Sequence, residues 1–186
     1  MHQATAASLV YATQMPEDEE YATILVFNMG GTSIDISIIT IDGNNISVKA
    51  SDGDPYCGGA DFDNVLVQHA IAEFKKEEGI DVSADPRAMI RLRKEAQKVK
   101  ESLSNANAVE FEVSALAPNK DFEITITREK FEKLAEPIIE QAYDILNNLF
   151  AASDTSRKAI DDILIVGGSS RIPAMQKMLE KFFDGK

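Results

Sequence analysis

The residues with the most chemistry to offer lie in two glycine-containing breaks. Asn28-Met29-Gly30-Gly31-Thr32-Ser33 separates the apolar run Ile24-Leu25-Val26-Phe27 from an alternating stretch over 34–41. Adjacent glycines let the backbone approach a ligand closely, and successive N–H groups in such a turn form an anion-binding nest. The same residues also suit a plain β-hairpin turn, and this stretch alone leaves both readings open. The second break, Gly167-Gly168-Ser169-Ser170-Arg171-Ile172-Pro173, follows the apolar run Ile163-Leu164-Ile165-Val166. Serines ahead of a proline mark a helix start. Glycines between a strand end and a helix N-terminus suit a phosphate or a nucleoside, because free N–H groups and the helix dipole both favour negative charge there. Neither break is the P-loop, which needs G-x-x-x-x-G-K-[ST], nor the dinucleotide fingerprint G-x-G-x-x-G.

The elements that must position these breaks follow from periodicity. Both apolar runs read as strands buried on two faces. The stretch after Ser33 alternates, with Ile34, Ile36 and Ile38 facing one way and Asp35, Ser37 and Ile39 the other. It turns at Asp42-Gly43-Asn44-Asn45 into 46–50, a hairpin. Ahead of it, residues 5–11 read as the end of a helix that begins before the chain does, and 14–21 as an exposed acidic loop. Residues 51–59 read as a loop whose Asp52 and Asp54 resemble calcium ligands, but Pro55 and the absence of a suitably spaced glutamate argue against that use.

Residues 61–78 are a helix with His69 near its apolar stripe, a packed or solvated histidine rather than a ligand. The clearest helix is 83–104, where Leu92, Ala96, Val99 and Leu103 recur at i, i+4, i+7 and i+11. Arg93, Gln97, Lys100 and Ser104 follow the same spacing one residue on, a polar line along the rim of that stripe. Long cations there also snorkel without any ligand. A second hairpin covers 109–115 and 122–127. A long helix opens at Thr127, burying Phe131, Leu134, Ile138, Ala142, Ile145 and Leu149, with Pro137 expected to kink or restart it. A polar linker over 153–158 and a helix over 173–183 complete the chain.

Composition sets the bounds. The 186 residues are 44% hydrophobic, enough for a packed core. The net charge of −12 argues against a nucleic-acid face or an anionic membrane surface, both of which need clustered cations. Cys57 is the one cysteine, so no internal disulfide forms and no redox compartment is singled out. No run approaches the roughly 20 apolar residues of a membrane span, and no signal-peptide pattern stands at the start.

Taken together, Phe27 to Ser37, Gly58-Gly59-Ala60-Asp61-Phe62-Asp63, Arg91-Leu92-Arg93-Lys94-Glu95-Ala96 and Val166 to Pro173 resemble the 70-kDa heat-shock proteins, the DnaK-type chaperones. The resemblance covers nearly the whole chain and implies an α/β chain with the actin-like ATPase (ribonuclease-H-like) fold. It implies the second lobe of the nucleotide-binding domain alone: a base subdomain from residues 1–57 and 134–186, with an outer α+β subdomain, 58–133, inserted between them.

The resemblance also implies ATP or ADP with Mg2+ as the cofactor of a full-length parent, held loosely if at all by this chain alone. It matches Gly30, Gly31 and Thr32 to a phosphate loop and Gly59 to the glycine near the terminal phosphates, with Gly58 beside it in the nucleotide site. Gln97, Lys100 and Ser104 match nucleoside-contacting positions, and Gly167, Gly168, Ser169 and Arg171 the adenosine motif. It implies a J-domain co-chaperone, a nucleotide-exchange factor and a cytoplasmic setting.

Several positions depart from the family. Asn28 and Gln3 stand where it has an aspartate and a glutamate around the attacking water and magnesium. Thr32 replaces a third glycine, Gln97 a glutamate, and Glu101 an arginine packed on adenine. Amides for carboxylates remove charge that a hard cation wants. The expected activity is therefore nucleotide and partner binding with weak or absent hydrolysis, and none in this chain by itself. Leu25-Val26-Phe27 with Gly30-Gly31-Thr32-Ser33 also resembles the ribosome-associated branch, whose members hydrolyse ATP poorly. The alternatives are an active chaperone ATPase, with the altered positions compensated elsewhere, and an interaction module that has lost nucleotide. The glycine pairs argue against the latter. A sugar kinase on the same fold lacks evident sugar-binding residues.

Overall fold

The computed structural model describes residues 3–16, 20–43 and 45–185. The chain falls into two compact units, one formed by 1–59 with 139–186 and the other by 60–138.

In the first unit, helix α1 (Gln3–Ala12) precedes strands β1 (Tyr21–Met29), β2 (Ile34–Asp42) and β3 (Asn45–Asp54), and strand β6 (Asp162–Val166) joins them in the order β3-β2-β1-β6. β1 pairs antiparallel with β2 and parallel with β6. Every residue of β1 after Tyr21 is buried, as its unbroken apolar run predicts. Ala22, Ile24, Val26, Ile39 and Ile41 form one face's core, on which Ala4, Ala7, Tyr11 and Ala12 of α1 pack. By the two-residue period, Leu25, Phe27, Ile36 and Ile38 point to the opposite face, and all four are wholly buried.

Two expectations change here. β3 runs on to Asp54, so only 55–58 remain a connection; a register shift beside Ile38/Ile39 accommodates the longer pairing. Residues 17–19 of the expected acidic loop and Asn44 of the expected turn lie outside the described residues. β6, expected to be buried on both faces, is an edge strand: Ile165 is 46% exposed, and among the described residues its outer edge pairs with no strand. An apolar run of this length reads the same at an edge as in the middle of a sheet.

The second unit holds α2 (Gly59–Glu78, from Ala60 on), α3 (Pro86–Leu103), the hairpin β4 (Ala108–Ala117) and β5 (Lys120–Thr127), and α4 (Arg128–Leu134). α3 starts at Pro86 rather than Ser83, because Asp85 accepts the Arg87 N–H as N-cap and the proline takes the first helical position. Leu92, Ala96, Val99 and Leu103 are all buried, as their spacing predicts. Phe74, Phe111 and Phe122 meet edge-on, and Phe62 packs on Phe131.

The long helix is two: α4 ends at Ala135 and α5 (Glu136–Ala152) restarts around Pro137, which cannot donate to the preceding turn. Leu134, expected in the core, is half-buried, and Ala135 is buried instead. In the first unit, Phe150 of α5 packs on Phe182 of α6 (Pro173–Phe182), and Arg157 lies 3.6 Å over the Phe182 ring.

Candidate nucleotide-binding loops

Three glycine-containing connections meet at one carbonyl in the first unit. The loop after β1 closes on itself through the Gly30 N–H to the Ser33 carbonyl, 2.9 Å. The Gly30 carbonyl then accepts from the Gly59 N–H at 2.9 Å and from the Ser169 hydroxyl at 2.8 Å. The breaks at 30–33, 58–59 and 167–170 are thus one cluster, though they are spread along the sequence.

The glycines in it do different jobs. A Cβ on Gly58 would sit 2.6 Å from Thr32 backbone atoms, so glycine is needed for packing. At Gly167 the backbone has φ +88°, and a Cβ would meet the Met29 carbonyl oxygen at 2.2 Å. Gly31 and Gly168 are different. Both are exposed, neither has positive φ, and nothing lies within 4 Å of an added Cβ. Neither dihedral nor packing calls for glycine at these two positions. What glycine uniquely leaves there is bare backbone facing solvent.

The serines correct the expected helix start. Ser169 and Ser170 sit in a short 3-10 turn ahead of α6, whose N-cap is Ile172 with no side-chain bond. Their hydroxyls go to the Gly30 and Gly167 carbonyls, holding the loops together instead of capping the helix. Thr32 and Arg171 are exposed at the cluster's surface.

At the base of the loop, Asn28 is 5% exposed, and its Nδ2 donates to Gln3 Oε1 of α1 at 2.5 Å. The two amides that the resemblance singles out are therefore direct partners. Their donor set does not fit Mg2+: the side-chain oxygen of Gln3 is already taken by an N–H, and among the described residues no three His, Cys, Asp or Glu side chains gather to hold a metal. Asp54, considered above for calcium, instead accepts the Tyr56 N–H and the Gln141 amide.

In the second unit the polar line of α3 is present, with its side chains already engaged. Gln97 Nε2 donates to Glu101 Oε1 at 2.9 Å. Lys100 Nζ lies 2.8 Å from Asp63 Oδ1 of α2, and both side chains are largely buried. Burial pushes the Asp63 carboxyl above its ordinary pKa, and the Lys100 ammonium opposes that shift. Ser104 caps the C-terminal end of α3, where the Arg128 guanidinium binds the Leu103 and Ser104 carbonyls. A groove of about 340 Å3 lies between α2 and α3, lined by Asp63, Asn64, Arg93, Lys94 and Gln97. Sequence reasoning gave Asp63 no role, because a pair across two helices leaves no periodic trace in either one.

These features define a mixed α/β chain whose three glycine-containing loops meet at one carbonyl. Comparison with known proteins gives the class. The model of the Hsp70 protein family matches residues 1–186, and the chain belongs to that family. It is 38% identical over its whole length to a ribosome-associated molecular chaperone of Saccharomyces cerevisiae. It is similarly 37% identical to a ribosome-associated molecular chaperone of Eremothecium gossypii and 36% identical to one of Candida glabrata. The chain spans about 30% of the length of each of these relatives. No helix among the described residues is long and apolar enough to cross a membrane.

Proposed function

We propose that the chain is the second lobe of an actin-like nucleotide-binding domain from an HSP70-type chaperone, with its two compact units as base and outer subdomains. Its task is to bind ATP or ADP, and to present a nucleotide-dependent surface to a J-domain co-chaperone and an exchange factor, in a cytoplasmic, ribosome-associated setting. Hydrolysis is weak or absent. The observation that carries the reading is the pair Gly31 and Gly168, exposed glycines that neither backbone nor packing requires, at the surface of three loops tied to the Gly30 carbonyl. Bare backbone N–H groups approaching a phosphate closely account for glycine there. Gln97, Lys100 and Ser104 are assigned contacts to the nucleoside.

Weak hydrolysis follows from Asn28, which cannot accept a proton from an attacking water; general-base help is worth about 10²–10⁴-fold. The test is a titration of the isotope-labelled chain with ATP by NMR, alongside a phosphate-release assay. The amides of Gly31, Thr32 and Gly168 shift on titration, and no phosphate is released. Unmoved amides at these three positions contradict the reading, and steady turnover contradicts its catalytic half.

A further inference from the structure

We infer that this lobe takes its nucleoside di- or triphosphate free of a divalent cation, because the Asn28–Gln3 amide pair stands where a cation's carboxylates would have to be. The inference rests on the nucleotide-binding reading above and specifies the ionic form of the ligand. Asn28 is oriented by one hydrogen bond and by close packing against the Gly167 backbone. Its Nδ2 donates to Gln3 Oε1 at 2.5 Å, and its Oδ1 lies close enough to Gly167 that an added Cβ there would come within 3.0 Å of it. The side chain is 5% exposed and closes the end of β1, where it pairs with Val166 of β6.

Two carboxylates at this separation could not both ionise without a cation between them. They would also place negative charge beside the phosphate loop, so that metal would be needed to bridge protein and phosphate. Two amides reverse that balance. The pair is joined by one hydrogen bond, carries no charge to repel a phosphate, and offers N–H groups that repel a cation. Gln3 is exposed, so its amide group faces solvent and can donate to an anion. Magnesium then gains no carboxylate from this pair, and Mg2+ bound to ATP meets no charge there to hold it.

The experiment is the NMR titration of the chain with ATP, run once in EDTA and once in millimolar Mg2+, beside melting curves of Asn28→Asp/Gln3→Glu under both conditions. Wild type binds ATP in EDTA with an affinity within about threefold of that in Mg2+, or tighter. The double variant melts several degrees lower in EDTA and recovers in Mg2+. Gln3→Glu alone keeps an acceptor for the Asn28 N–H and melts as wild type, which controls for folding. Wild-type binding that weakens at least about tenfold in EDTA overturns the inference while leaving the nucleotide reading intact. A double variant with wild-type melting in both conditions shows that the two side chains do not face each other, and overturns it as well. No amide shift in either titration overturns the nucleotide reading, and this inference falls with it.

Discussion

The loop cluster of the first unit and the polar line of α3 in the second use different parts of the chain. Around Gly30 the contacts are made by backbone and by two serine hydroxyls, and the surface left over is main chain at Gly31 and Gly168. Along α3 the candidates are side chains, and these are already paired inside the protein: Gln97 with Glu101, and Lys100 with Asp63. Of the departures that the family resemblance implies, Asn28, Gln3, Gln97 and Glu101 are changes of side chain and Thr32 is a lost glycine in the loop itself, whereas the paired glycines remain. A backbone cradle demands little of the sequence beyond small residues and a fold that closes. A side-chain contact can be turned inward by a single substitution. Phosphate recognition should therefore outlast nucleoside recognition and catalysis in a chain of this kind.

The most damaging single change should be in the loop cluster. Gly167→Ala forces a Cβ at φ +88° to within 2.2 Å of the Met29 carbonyl oxygen, an expected cost of about 3–5 kcal/mol. Thermal melting checks it. A loss below about 1 kcal/mol would mean the three loops are not held together as described.

On the other side of the comparison, Asp63→Asn leaves the largely buried Lys100 ammonium without its counter-charge. At neutral pH the expected change is about 1 kcal/mol or less, because burial already disfavours the ionised carboxylate and offsets the pairing with Lys100. Its pH dependence has a definite sign. The folded pKa of Asp63 lies above 3.8 because burial disfavours the charged form. Its contribution to stability is therefore complete below that value and is lost as pH rises through the folded pKa. Asp63→Asn should flatten the melting temperature across that window. An unchanged profile would show that Asp63 titrates as an exposed group.

The remaining effect is on the nucleoside side. Glu101→Arg removes the acceptor of Gln97 and supplies a cation able to stack on a base. A cation–π contact of roughly 0.5–2 kcal/mol would tighten ATP binding by up to about 30-fold. Calorimetry showing no change would mean that Glu101 points away from the bound base.

The sequence carried some of this and concealed the rest, for identifiable reasons. β1, the α3 stripe and the restart at Pro137 were legible because each rests on a local period or a residue of fixed geometry. The edge position of β6 was not, because an apolar run records burial but not which neighbour supplies it. The glycine breaks were visible as candidate loops, but a plain hairpin turn remained open until the chain was seen to bring 30, 59 and 169 to one carbonyl. The Asn28–Gln3 and Lys100–Asp63 pairs join residues 25 and 37 positions apart, beyond any repeat in the sequence. Ser169 and Ser170 misled as helix caps because hydroxyls serve loop carbonyls equally well.

On the proposed reading, Gly31 and Gly168 are glycines for a ligand's sake and not for the fold's. Melting and ATP titration of Gly31→Ala/Gly168→Ala test it most directly. Neither position has positive φ or a neighbour within reach of a Cβ. Each alanine should therefore leave stability unchanged or raise it by about 0.4–1 kcal/mol. The ATP-induced amide shifts around Thr32 should be lost. A double variant that melts well below wild type would show that the fold required these glycines. One that binds ATP as wild type does would show that no phosphate approaches them.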